Sequence, residues 1–102
     1  MSQTMSLDLE AISRAAARHG VAELELFGSA VAGDFTTDSD VDFLVDFLPD
    51  RADPFEDFSG LHDELCRIVE RDVDLVVKRA IRNPYFRESA LAHTETVYVA
   101  HL

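Results

Sequence analysis

The sequence predicts an α/β fold of the α+β kind, a mixed β-sheet of three to four strands with flanking helices, built as a single domain over residues 1–102. Three observations carry that expectation. Short apolar runs with period-two alternation recur at 21–27, 40–47 and 72–77, as strands require. Between the second and third runs, Phe58, Leu61, Leu65 and Ile68 follow one another at the three- and four-residue spacing of a helix face. The second and third runs each open on paired acids, Asp40-Val41-Asp42 and Asp72-Val73-Asp74.

The elements follow in order. Ser6 can cap a first helix, with Asp8 and Glu10 favourable in its first turn. Leu9, Ile12, Ala16 and His19 share one face of it, and Gly20 supplies the stop. In the strand 21–27, Ala22, Leu24 and Leu26 point to one side and Glu23 and Glu25 to the other, the pattern of a half-buried strand. Residues 28–33 form a turn with a short helix, and 34–39 a polar loop. The strand 40–47 puts Asp40, Asp42 and Leu44 on one face and Val41, Phe43 and Val45 on the other. After a connection at 47–53, Asp53 caps a helix with Pro54 at its first position and Glu56 and Asp57 in its first turn. Gly60 weakens that helix slightly, and Arg67 and Arg71 complement the dipole at its end. Asn83-Pro84 starts a short helix over about 84–92, and 95–99 reads as a last edge strand.

Composition narrows the function. With 47% hydrophobic and 28% charged residues the chain is expected to fold, and 102 residues leave room for one core but not for a second substrate domain. The formal charge of −11, from 20 acidic against 9 basic side chains, excludes direct, non-specific nucleic-acid binding, which needs Lys and Arg to neutralise phosphates. It suits a protein that holds Mg²⁺ or faces a basic partner. No apolar run approaches the ~18–20 residues of a membrane span. The opening Met-Ser-Gln-Thr-Met lacks the regions of a signal peptide, and Cys66, the single cysteine, precludes an internal disulfide, so the expected location is cytoplasmic.

The chemistry concentrates in 28–42. Asp40 and Asp42 are two apart on a strand, so both leave the same face with Cα atoms ~6.6–6.8 Å apart. Two such charges ~4 Å apart repel by roughly 4 kcal/mol at an effective dielectric of about 20. Mg²⁺ relieves that repulsion and takes carboxylates and substrate phosphates as ligands. With two ions ~3.5–4 Å apart, one activates an attacking hydroxyl and the other steadies a triphosphate leaving group. Asp74 is the best candidate for a third carboxylate, with Asp72 as the fallback. Gly28 permits close backbone approach, and Ser29 offers a hydroxyl and an amide to phosphate oxygens. For Gly28-Ser29 to meet Asp40, the first two strands must be antiparallel. For Asp74 to join them, the second and third must be parallel, with the helix between as a right-handed crossover. Gly-Ser alone is an ordinary turn, and an acid pair alone is a solvated edge. Their ten-residue spacing and the third acidic strand together point to nucleotidyl transfer.

Leu26-Phe27-Gly28-Ser29, ten residues, then Asp40-Val41-Asp42-Phe43-Leu44-Val45 resembles the signature of the polymerase-beta-like nucleotidyltransferase superfamily. The short form, with the Asp74 strand and the Pro-Tyr-Phe-Arg-Glu tail before a last strand, is similar to the minimal nucleotidyltransferases known as MntA-type antitoxins. The resemblance implies the polymerase-beta palm-like fold, MgATP as donor, and a HEPN-domain ribonuclease toxin as partner, silenced by transfer of AMP to a tyrosine. It implies that Gly28 and Ser29 hold triphosphate and that Asp40, Asp42 and Asp74 are the catalytic metal ligands, Asp74 also serving as general base. One departure stands out: many relatives carry an arginine where this chain has Ala32. Lys78 or Arg79 could substitute.

A second reading keeps the fold and drops the chemistry: a catalytically weak or inactive domain that neutralises its partner by contact, with Tyr85, Phe86 and Tyr98 as anchors. A phosphoacceptor receiver domain would place its acids at the carboxyl ends of parallel strands, whereas here they precede the apolar runs. A small-molecule nucleotidyltransferase of the aminoglycoside type would need a substrate domain. His19, His62, His93 and His101 lack zinc spacing, and Cys66 reads as a small buried hydrophobe.

Overall fold

A computed structural model of the chain describes residues 8–28, 40–85, 88 and 94–100. Helix α1 spans Leu9–Arg18, and the Asp8 carboxylate accepts a hydrogen bond from the Ala11 amide at 3.0 Å. The cap is therefore Asp8; Ser6 lies outside the described residues. Ile12, Ala15 and Ala16 are fully buried, while Leu9, expected on the same face, is 51% exposed at the open end of the helix. Gly20, at φ +69°, ends the helix in a left-handed turn that favours glycine.

Strand β1 (Val21–Phe27) pairs antiparallel with β2 (Val41–Phe47), Phe27 lying opposite Asp42 and Leu24 opposite Val45. Helix α2 (Pro54–Val69) starts at Asp53, whose side chain accepts from the Glu56 amide at 3.1 Å, and stops at Glu70 in a left-handed conformation. It leads into β3 (Val73–Val77), which runs parallel to β2 with Asp74 opposite Asp42. A 3₁₀ turn at Lys78–Ala80 follows, and β4 (Glu95–Val99) returns antiparallel to β1. The strand order is β3-β2-β1-β4, with both pairings that the site required. Pro84, Tyr85 and Glu88 are helical. The remainder of the helix expected over 84–92, and the turn and loop expected over 29–39, lie outside the described residues.

The helices cover one face of the sheet. Ile12, Leu24, Val41, Phe43, Val45, Leu61 and Leu65 form that core with Ala16, each of the seven larger side chains contributing about 1.5–3 kcal/mol when fully buried. The other face is not simply solvated. Phe27 and Leu44 are buried there against Val76 and Ile81. Glu25, expected to face water, is only 7% exposed; its Oε1 lies 3.2 Å from Lys78 Nζ, an ion contact across β2. Alternation along β1 gave the correct face for Glu25 but not its environment, which a cation 53 residues later creates. Among the described residues, no helix is long and apolar enough to cross a membrane.

Candidate active site

Strand pairing assembles the site. Because β1 and β2 are antiparallel, the last residue of β1 meets the start of β2; because β2 and β3 are parallel, their starts lie side by side. Gly28, Asp42 and Asp74 thus share one edge of the sheet, with Asp40 two residues ahead of Asp42. Asp40 and Asp74 are exposed and Asp42 is half-buried. Ser29, Ala30 and Ala32 lie outside the described residues.

Gly28 does more than bend. At φ +77° it takes a left-handed conformation at the end of β1, and Asp42 Oδ2 occupies the space where a side chain at residue 28 would begin, 2.3 Å from the ideal Cβ position. The missing side chain makes room for a carboxylate. The motif spacing signals this contact, but only the register of β1 on β2 reveals it.

Asp42 is electrostatically burdened. Burial pushes its pKa up first, and the neighbouring charges of Asp74 and Asp40 push it further in the same direction. Asp42 therefore feels one carboxylate from just ahead of its own strand and one from the neighbouring strand. Among the described residues no three His, Cys, Asp or Glu side chains stand close enough to hold a metal ion on their own. The arrangement is an open carboxylate edge rather than a closed cage. It suits Mg²⁺, which takes few protein carboxylates and completes its shell with water and phosphate oxygens. A divalent cation there would also remove the repulsion that burdens Asp42. Asp72, the fallback ligand, links β3 to β2 through its main chain: its carbonyl accepts from the Val41 amide at 3.0 Å.

Lys78 and Arg79 do not replace the missing loop arginine. They follow Asp74 by four and five residues, about 13–16 Å along an extended chain. Acids on the same face hold them there: Lys78 Nζ lies 3.5 Å from Glu23 and 3.2 Å from Glu25, and Arg79 donates to Asp46 at 2.8 Å. The histidines are structural where described, His19 pairing with Glu64 at 2.7 Å and His62 lying 3.0 Å from the Val73 carbonyl. A cleft of about 350 Å³, lined by His19, Arg51, Ala52, Asp53, Glu56 and Asp57, opens between the end of α1 and the start of α2. Its charge is internally paired, for Arg51 donates to both Asp57 oxygens and holds that carboxyl below its ordinary range. None of the sheet-edge carboxylates lines it.

The chain matches the nucleotidyltransferase domain family over residues 9–97. It is 39% identical over 85 residues to the protein adenylyltransferase MntA of Thermococcus cleftensis, covering 80% of this chain and 78% of that one. A solved structure described as a putative minimal nucleotidyltransferase superposes with a TM-score of 0.71 at 34% identity, covering 84% of this chain and 85% of the other. A crystal structure of a toxin-antitoxin with AMP-PNP shares the fold, with a TM-score of 0.72 at 22% identity over 93% of this chain and 76% of that one. Family match, fold and the register that gathers Gly28, Asp42 and Asp74 agree, and the chain belongs to the nucleotidyltransferase domain family.

Proposed function

We propose that residues 1–102 act as one minimal nucleotidyltransferase domain, a Mg²⁺-dependent cytoplasmic antitoxin that transfers AMP from ATP to a tyrosine of a HEPN-type ribonuclease toxin bound to it. The observation that carries this reading is the pairing of Asp42 with Asp74 beside a glycine that yields its side-chain space to Asp42. Support for the acceptor comes from the MntA relative, a protein adenylyltransferase, and from a structure of a tri-AMPylated Shewanella oneidensis HEPN toxin with MNT antitoxin, which shares the fold.

In this reading Asp40, Asp42 and Asp74 are the residues that would hold Mg²⁺, which would supply positive charge to the triphosphate and the leaving pyrophosphate. Gly28 and Ser29 present backbone amides, and Ser29 its hydroxyl, to the triphosphate. Asp74, exposed at the edge of the sheet, accepts the proton of the incoming tyrosine hydroxyl. Half-buried Asp42 is held in place by the bend at Gly28, which orients the pair.

One observation favours the contact-only alternative: Lys78 and Arg79 are engaged by acids away from the carboxylate end, and position 32 is alanine, so neither of these two cations stands in for the loop arginine. Co-expression with the cognate toxin separates the readings. Purified chain with MgATP should add AMP-sized mass increments to the toxin, and Asp40→Asn with Asp42→Asn should abolish them while the chain stays folded. A toxin that is inhibited yet unmodified refutes transfer and leaves neutralisation by contact.

A further inference from the structure

We propose that Tyr85 is a second acceptor, adenylylated by the chain itself when no partner occupies the site; this rests on the reading of the chain as a tyrosine-directed adenylyltransferase. The argument is topological first. β3 lies at one edge of the sheet and β4 at the other, so the chain after β3 must cross β2 and β1. It sets out on the carboxylate face, because Ile81 packs against the cluster of Phe27 and Leu44, and Leu44 shares that face with Asp42. It also heads towards the carboxylate end, since β4 begins with Glu95 opposite Leu26, one residue from the end of β1.

Charge anchors the start of this crossing. Four of the nine cationic residues, Lys78, Arg79, Arg82 and Arg87, fall within it. Lys78 and Arg79 are bound to Glu23, Glu25 and Asp46 of the same face, which pins the start of the crossing to the sheet. Tyr85 follows Ile81 by four residues, a reach of at most about 14 Å. Phe27, in the same cluster as Ile81, lies directly opposite Asp42.

The presentation of Tyr85 suits an acceptor. Asn83 Oδ1 accepts from the Tyr85 amide at 2.9 Å, a side-chain turn that opens a helical turn at Pro84. Tyr85 is 83% exposed. Tyr98, the other tyrosine of the chain, packs against the core. Exposed tyrosine on a segment tethered to the carboxylate face is the same chemistry that the partner would offer.

The step balances without any further reactant. Tyr85 Oη attacks the α-phosphorus of ATP; the new O–P bond forms as the bond from that phosphorus to the α–β bridging oxygen breaks. Pyrophosphate leaves with the electron pair, and the phenolic proton passes to Asp74 and then to water. No centre is oxidised or reduced.

The test uses the full chain, purified without a partner and incubated with MgATP, followed by intact mass and peptide mapping. One AMP-sized increment is expected on the peptide holding Tyr85. It should be lost in Tyr85→Phe, whose thermal melt should match the wild type, and in Asp40→Asn with Asp42→Asn. Mixing unmodified acid-deficient chain with isotopically labelled wild type tells transfer within a chain from transfer between chains. The proposal is overturned if a chain that adenylylates its toxin never modifies itself, or if the increment maps to another residue. A chain that modifies neither itself nor the toxin overturns the parent reading as well.

Discussion

Replacing Gly28 with alanine would press a methyl group onto the carboxylate edge while changing nothing else in its chemistry. Two costs can be separated. A residue other than glycine at φ +77° gives up about 1–2 kcal/mol, which for a domain of this size lowers the melting temperature by about 4–8 °C per kcal/mol. The new Cβ would lie 2.3 Å from Asp42 Oδ2, and ordinary contact begins at 3.4 Å, so the carboxylate must retreat by about 1 Å. A displacement of that size at a reacting centre costs on the order of 100-fold in rate. Gly20→Ala is the matched control. Gly20 has φ +69°, and its Cβ would meet Arg51 Nε at 2.1 Å, so Arg51 must shift and loosen its pair with Asp57, a cost to stability that leaves the carboxylate edge untouched. Both variants should melt lower. Only Gly28→Ala should lose AMP transfer, measured as initial rate, and should need more Mg²⁺ for half of its maximal rate. Equal activity of the two variants would refute the claim that residue 28 is glycine to make room for Asp42.

Three further outcomes follow from the same geometry. The folded pKa of Asp42 lies above its unfolded value, so the folded state holds that proton more readily, and stability falls as pH rises from the ordinary 3.8 through the raised pKa. Metal-free Asp42→Asn should therefore melt above wild type near neutral pH, and the gap should close on acidification below 3.8 and on adding Mg²⁺; parallel melting curves at every pH would remove the electrostatic account. Gly60→Ala should destabilise despite a helix-propensity gain of about 1 kcal/mol, because the Cβ would sit 2.6 Å from His19 Cε1, and the gain should emerge in urea melts only alongside His19→Ala. Lys78→Met strands a buried carboxylate and should cost about 1–3 kcal/mol, with most of it recovered by Glu25→Gln in the same chain; no recovery would show that the lysine acts through packing alone.

The features that could be read from the sequence are those settled over a few residues. Period-two alternation puts Asp42 and Leu44 on one face of β2, and a parallel third strand opening on acids brings Asp74 alongside Asp42. Asp53 and Pro54 mark the start of α2, and Gly20 the end of α1, by equally local physics. The misreadings share a different origin. Acidity and alternation with leucines point Glu25 towards water, yet its surroundings depend on Lys78, a cation that the sequence alone offers equally to a triphosphate. Gly60 looks like a flaw in a helix until His19, from a helix 41 residues away, is seen to need the space. In each case the pattern identifies the face of an element, and the opposing side chain comes from a part of the chain that local pattern does not reach. A carboxylate edge built on strand register is therefore legible in advance, whereas the cations that could support it are not, because every cation in a chain of charge −11 has many acids to choose from and only the fold selects among them.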